Sequence, residues 1–522
     1  MMLDLLIHGA EVCDGDSPHP RRVAVGVVND RIVHVGEKPG GMAVRQSLDA
    51  AGLTLCPGFI DTHSSTGLTF LYPRSGDNKL SQGITTEIFG NCGTSQGPVG
   101  ERLVPVMEKL DTDLEFGFDW RSLEDFHQRL EREGLPFNVA GHVGHGTLRA
   151  GVMQPGEDYS GERRERMRAL LEQGLRDGAL GLSTGLVYAP GSFADTAEII
   201  DLAQIVARHG GIYVSHVRDE RHKVDEAVAE AIEVGRQSGI PVLVSHLKAA
   251  EQANWGRIPS IIGQVEEARG RLATPLSFEV YPYTAVSTKL RTFIPREIMD
   301  GGIEEYRRRL GEPDWRERCR RYMHERGTDF AAMMLLGDQG EGSGRSSVAS
   351  LAKRHGNDPG LEVVEILQRD PDIWIVYHCM DQSDVDAAVL WPESIICTDS
   401  WSHPYNAPKQ IGDPHPRTFG AFTRFLEQYV IRSGRLSLAA AVRKLTALPA
   451  DFTGIRERGR IREGCFADIV LLDPPGIREL ATYEEPRRLS LGTEYVWVNG
   501  RPAVERGRVL DTRPGRVLRH GR

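Results

Sequence analysis

The sequence predicts an α/β chain built as a closed (β/α)8, TIM-like barrel. It also predicts a small β-domain assembled from both termini and an insertion between the last barrel strands. Three observations predict this. Through the centre of the chain, short β-branched runs alternate with helical patterns such as GERRERMRALLEQGLRDG and DEAVAEAIEVGRQSG, the rhythm of βαβ units. Eight strand-like runs can be placed, near residues 55–63, 83–92, 137–145, 178–186, 211–218, 241–248, 276–283 and 394–400, and eight such units favour a closed barrel over an open sheet. The two ends of the chain, by contrast, are rich in strands and turns.

Residues 1–57 hold the runs LDLLIHGAEVCDGD, RRVAVGVVNDRIVHVG and AGLTLCPG, and residues 455–522 hold RGRIREGCFADIVLLD, TEYVWVNGRPAVERGRVLD and GRVLRHGR. Strand-rich ends around a long α/β centre lead to the expectation of one small β-domain assembled from both. Residues 58–454 are expected to form the barrel. Several of its strands are short β-branched runs of the kind that reads as a buried parallel strand. The stretch from Tyr283 to Ser394 is too long for one crossover and contains IEEYRRRLGEPDWRERCRRYMHERG, DFAAMMLLGD and PDIWIVYHCM. An inserted subdomain or lid around 290–350 is expected there.

Composition narrows the class. The 522 residues are 40% hydrophobic and 26% charged, ordinary for a globular protein. No apolar stretch reaches the roughly 18 residues of a transmembrane helix, so no membrane partner is expected. The N-terminal MMLDLLIHGAEVCDGD lacks a basic n-region and a small-residue cleavage site, which argues against a signal peptide. Seven scattered cysteines point away from a disulfide framework and toward a reducing, cytoplasmic setting. A net charge of −10 disfavours nucleic acid as a partner.

Four polar residues sit where apolar runs break: Cys92 in GITTEIFGNCG, His216 in GIYVSHVRDE, His246 in PVLVSHLK and Asp399 in SIICTDS. If these strands share a barrel, one thiolate, two imidazoles and one carboxylate converge at its C-terminal edge, where parallel α/β folds concentrate chemistry. Cys with two His suits a borderline-soft divalent ion, most simply Zn²⁺, and leaves an open coordination position for water. Asp399 remains to handle a proton. These residues point to a metallohydrolase.

At this point the chain resembles the N-acyl-D-amino-acid deacylases (D-aminoacylases) of the amidohydrolase superfamily. The resemblance rests on PGFIDTH, SQGITTEIFGNCG, GHGTLR, GLSTGLVYAPG, YVSHVRDE, SHLK, YPYTA, TDS, HPRTFGAF, KLTALPA and GCFADIVLLD, in family order over nearly the whole length. It implies a metal-dependent barrel with a β-sandwich from both termini. It also implies a zinc held by Cys92, His216 and His246, with Asp399 passing a proton from the attacking water to the leaving nitrogen. The implied partner is a small N-acyl amino acid or related amide. Lys248 with Tyr281 or Tyr283 would hold its free carboxylate, Arg291 or Arg296 an acidic side chain, and Tyr188 and His145 would line the pocket.

The sequence departs from the family at the first strand. Amidohydrolases usually carry His-x-His there, since i and i+2 face one side of a strand. Here His63 keeps the first ligand position and Ser65 occupies the second, followed by Thr66 and Gly67 where acidic residues often stand. A serine hydroxyl is a poor ligand for such a metal, and ALGLSTGL carries no lysine to bridge two ions. One tightly bound zinc is therefore expected. Two other readings compete with the deacylase. One is a relative moved to a cyclic amide, a D-residue dipeptide or a biosynthetic intermediate. The other is a catalytically weakened binding protein, against which the intact Cys92, His216, His246 and Asp399 argue.

Overall fold

The computed structural model of the protein describes all residues except 1, 66, 155, 300, 301, 337–345, 406–412 and 522. Thr66 and part of the expected insertion therefore lie outside the described residues.

The eight strands expected from the sequence form the barrel. They are Phe59–Asp61, Ile84–Phe89, Asn138–Gly141 (continued as Val143–Gly144), Gly181–Gly185, Ile212–His216, Val242–Val244, Leu276–Val280 and Ile395–Ile396. Neighbours pair in parallel in chain order. A parallel bridge between Ser64 and Ser400, just beyond the first and eighth strands, closes the ring. All residues of the second, fourth, fifth and seventh strands are buried, the polar ones among them included, Glu87, Thr184, Ser215 and Glu279 for instance.

The surrounding helices follow from periodicity and caps. In Val224–Ser238 the buried residues Val224, Ala227, Val228, Ala231, Val234 and Gly235 recur at helical spacing, and the helix stops where Gly239 takes φ 68°. Thr196–Arg208 starts at Asp195, whose side chain accepts from the Glu198 amide. Each valine packed this way contributes about 1.5–3 kcal/mol of burial. Among the described residues, no helix is long and apolar enough to cross a membrane.

Strands from the two ends share one seven-stranded sheet, in which Thr54–Pro57 pairs antiparallel with Ile469–Leu472. A four-stranded sheet of Leu3–His8, Ala24–Val28, Arg31–Gly36 and Val44–Asp49 packs against it through Ile7, Val25, Val27, Leu55, Ile469 and Leu471. The C-terminal tail continues to the barrel, where Val517 bridges Val139 of the third strand.

Between the seventh and eighth strands lies a three-stranded antiparallel sheet of Ala285–Lys289, Trp374–His378 and Met333–Leu336, with four helices among the described residues between Ile303 and Arg369. It extends beyond 290–350 at both ends because its first strand follows the seventh barrel strand after a short turn. Backbone bonds fasten it to the barrel. Glu251 N donates to Cys379 O at 2.7 Å, and Met380 N to Thr284 O at 3.0 Å. This brings Cys379 and Met380 to the C-terminal mouth.

Candidate metal centre

The GNCG motif is a turn that only its residue types can make. After the second strand, Gly90 and Gly93 take φ of 81° and 75°. A Cβ on Gly90 would lie 2.4 Å from His142 O, and one on Gly93 would lie 2.8 Å from Gly185 N. Asn91 ties the turn down by donating Nδ2 to the carbonyls of Ile88, Thr62 and Ser64 at 2.9, 3.2 and 3.2 Å. Ser183 of the fourth strand accepts from Gly93 N at 3.2 Å and donates to Gly90 O at 2.5 Å. Cys92 is thereby folded back over the strand ends. Cys92, His246 and Asp399 themselves hold φ of 52°, 34° and 45°. Such a conformation costs on the order of 1–3 kcal/mol for a non-glycine residue, so surrounding contacts impose it at three of the converging positions.

The donors meet at metal-binding spacing. Cys92 Sγ lies 3.5 Å from His216 Nδ1, 3.5 Å from His246 Nε2 and 3.3 Å from His63 Nε2. Zinc bonds of about 2.3 Å to sulfur and 2.0–2.1 Å to nitrogen in a tetrahedral shell put the two donor atoms roughly 3.5 Å apart. The Cys92 contacts to His216 and to His246 each match that separation. Asp399 Oδ1 is 3.5 Å from His63 Nε2. One donor each from His63, Cys92, His246 and Asp399 falls within 4.8 Å of the others.

The imidazoles are held from behind. His63 Nδ1 lies 2.7 Å from Glu279 Oε2. His246 Nδ1 lies 3.1 Å from Glu220 Oε1, and His216 Nε2 lies 3.6 Å from Glu220 Oε2. Beneath the first strand a second layer of charge is fully buried. Lys79 Nζ contacts Asp61 Oδ2 at 2.6 Å, Thr398 Oγ1 at 2.8 Å and Glu87 Oε2 at 3.5 Å. Ser64 and Ser402 donate to Glu87 at 2.5 and 2.7 Å. Asp61 also accepts from Thr398 N at 2.9 Å, fixing the strand that delivers Asp399.

Electrostatics favour the ligating protonation states. Burial pushes the Cys92 thiol up, but the His63 and His246 imidazoles outweigh it and hold it at about 7, toward the thiolate that binds metal. Burial lowers His216 to about 4, so it is the neutral ligand form at pH 7. Burial would raise Asp399, yet Arg417, with Nη1 2.8 Å from Oδ2, and then His246 and His63 hold it at about 2. Glu220 is likewise held well below its ordinary value, against burial, by His216, Lys248 and His246.

The remaining expected residues divide. Lys248 is buried beside the centre, its Nζ 2.5 Å from Glu220 Oε1 and 2.8 Å from His246 Nδ1. Tyr281 is buried under the Arg417 guanidinium, 4.6 Å above its ring. The Tyr188 ring stands 4.9 Å from His216. Tyr283 points elsewhere: its hydroxyl donates to Glu479 at 2.5 Å, with Arg424 over its ring. Arg291 pairs with Asp372 at 2.8 Å. Arg296 donates to Ser192 O at 2.9 Å, on the loop that carries Tyr188, and its side chain is 56% exposed. His145 is fully buried and bonded to Glu198 at 2.8 Å. Ser65 is exposed, its amide donating to Ser400 O at 3.3 Å. Sequence reasoning did not single out Glu220, Glu279, Lys79 or Arg417. Glu220 stands four residues after His216 and Arg417 lies within HPRTFGAF, but neither spacing names a partner.

Barrel, strand-end donors and closing bridge define a metal-dependent hydrolase scaffold. Residues 46–504 match the Amidohydrolase family. The N-acyl-D-glutamate deacylase of Alcaligenes xylosoxydans xylosoxydans is 34% identical over 521 residues, 99% of this chain and 96% of that one. The solved N-acyl-D-glutamate deacylase of Bordetella bronchiseptica, complexed with zinc and a phosphonate inhibitor that mimics the tetrahedral intermediate, superposes with a TM-score of 0.83. It is 31% identical, covering 99% of this chain and 100% of that one. A solved D-aminoacylase, described by one-metal activation and second-metal attenuation of a binuclear centre, gives a TM-score of 0.83 at 30% identity, with 99% and 100% covered. The chain belongs to the amidohydrolase family. It is a metal-dependent hydrolase of amide C–N bonds.

Proposed function

We propose that the chain removes the acyl group of an N-acyl-D-amino acid, giving a carboxylate and a free D-amino acid, with one tightly held zinc ion. The observation that carries the reading is the approach of His216 Nδ1 and of His246 Nε2 to Cys92 Sγ, each at 3.5 Å, beside an ionised Asp399. Cys92, His216 and His246 would hold the ion, with His63 alongside. Zinc bound there supplies a Lewis acid for the amide carbonyl and lowers the pKa of water. Asp399 accepts the proton of the attacking water and delivers it to the leaving nitrogen. Arg417 keeps that carboxylate ionised despite burial.

Lys248, Tyr281 and Arg417 gather the cationic and phenolic groups suited to the substrate carboxylate. Arg296, half exposed and bonded to the Tyr188 loop through Ser192 O, would meet an acidic side chain, in keeping with the glutamate and aspartate deacylases among the relatives. The exposed Ser65 supports a single tight ion, because no second imidazole follows His63. It also supports the second reading, a related amidohydrolase moved to a cyclic amide, a D-residue dipeptide or a biosynthetic intermediate.

A panel of N-acetyl D- and L-amino acids, including D-glutamate, D-aspartate and D-methionine, tests the proposal with zinc-loaded protein. Turnover confined to D-compounds is expected. Failure on all of them, with hydrolysis of a cyclic amide, would favour the second reading. A charge-assisted carboxylate contact is worth about 1.5–3 kcal/mol. Lys248→Met should accordingly raise KM for the best acid substrate and barely change it for the C-terminal amide. Equal losses on both would remove Lys248 from the carboxylate site.

A further inference from the structure

The carboxylate of Glu220 faces the outer nitrogens of both ligating imidazoles, while the ammonium of Lys248 lies against one of the same two nitrogens. With His216 Nδ1 and His246 Nε2 turned toward Cys92 Sγ, the opposite nitrogens, His216 Nε2 and His246 Nδ1, lie 3.6 and 3.1 Å from Glu220. An imidazole that gives one lone pair to a metal carries its proton on the other nitrogen, where it needs an acceptor. His216 Nε2 is buried and has no hydrogen-bond partner in this structure, and Glu220 Oε2 at 3.6 Å is the acceptor beside it. His246 Nδ1 has two competitors: Glu220 Oε1, which can only accept, and Lys248 Nζ at 2.8 Å, which can only donate. Lys248 can donate to Nδ1 only when the His246 proton sits on Nε2, the nitrogen a metal needs bare.

We propose that Glu220 is a shared positioning residue for His216 and His246, and that Lys248 opposes it at His246 Nδ1. Metal retention and release of Lys248 toward the substrate carboxylate are thereby coupled. The proposal rests on the zinc-site reading above and deepens it. Loading the site puts the His246 proton on Nδ1, where it is donated to Glu220. The ammonium then loses its acceptor on His246 and keeps only Glu220 until a substrate carboxylate offers another. Four groups on two successive strand ends and the loop between them thus link binding of the ion to readiness of the carboxylate site.

Zinc affinity, measured by chelator competition on the full chain, tests this without any turnover. Glu220→Gln should weaken zinc binding by about 10–100-fold, the usual cost of losing an outer-shell partner, with Glu220→Asp intermediate. Lys248→Met should tighten it by about 2–10-fold, the equilibrium worth of one ordinary hydrogen bond. In the Glu220→Gln background the Lys248→Met gain should grow, because the ammonium then meets no competitor at His246 Nδ1. Melting of each metal-free variant, followed by circular dichroism, identifies any that does not fold, and the Lys248→Met and Glu220→Asp measurements then stand on their own. A Glu220→Gln protein that holds zinc like wild type overturns the positioning role. A Lys248→Met gain that is absent in the wild-type background, or that is the same size with and without Glu220, overturns the competition, since a simple field effect of the ammonium is additive. Inactivity of the wild type on N-acyl-D-amino acids would instead count against the substrate reading and leave these affinities untouched.

Discussion

Replacing Arg417 by methionine tests how the barrel keeps a buried carboxylate basic. Arg417 and Asp399 are 6% and 12% exposed in their side chains and 2.8 Å apart. Breaking a buried pair by removing one partner costs about 3–5 kcal/mol, since the other charge is left uncompensated. Asp399 sits at about 2 rather than its ordinary 3.8 because Arg417, with smaller help from His246, His63 and Lys248, overcomes burial. A carboxyl with a lowered folded pKa contributes stability that is present above pH 3.8 and is lost as pH falls through about 2. Without Arg417, burial prevails and the carboxyl pKa rises, so stability near neutrality falls and protonation begins at higher pH. In kcat/KM against pH, measured with the best N-acyl-D-amino acid, the acid limb should move upward. A melting curve of the same protein should show the lost stability. An acid limb that stays at the wild-type position while only KM rises would falsify this account. It would assign Arg417 wholly to the substrate carboxylate.

Three further expectations follow from the site and its surroundings. Asp399→Asn nearly preserves shape but removes the proton acceptor, so turnover should fall by at least about 10²-fold with zinc content near wild type, whereas Cys92→Ala should lose the metal; elemental analysis beside activity separates the two, and an active Asp399→Asn protein refutes the proton role. Protein purified without chelator should carry about one zinc per chain, because structural and catalytic zinc sites need three or four good ligands and Ser65 supplies none; two equivalents surviving dialysis would contradict this. His142, buried and lowered by burial to about 3 from 6.5, stays neutral in the fold, so the unfolded chain binds the extra proton and stability should decline as pH drops from 6.5 toward 3. His142→Asn should flatten that decline in denaturant titrations, and an unchanged slope would remove His142 from the acid sensitivity.

The barrel was legible in the sequence because short β-branched runs alternate with helical patterns, and a polar residue that breaks such a run at its end reads as a rim position. Cys92, His216, His246 and Asp399 were found in that way, and their convergence follows once eight strands close a ring. Local rules reached less far past the strand ends. The i, i+2 rule puts Ser65 on the same face as His63, but the first strand stops at Asp61, the alternation stops with it, and Ser65 is exposed. Long side chains were harder still, because their partners come from distant segments. Tyr283 turns to Glu479, 196 residues away, and Arg291 to Asp372. Arg417 reaches Asp399, Glu279 reaches His63, and Lys79 joins Asp61 to Glu87. By itself the sequence determined which residues stand at the barrel rim and which metal chemistry they suit. Only the tertiary structure decided which charges face them, because a buried ion is placed by whatever opposite charge packing brings within a few ångströms, and no local spacing encodes that.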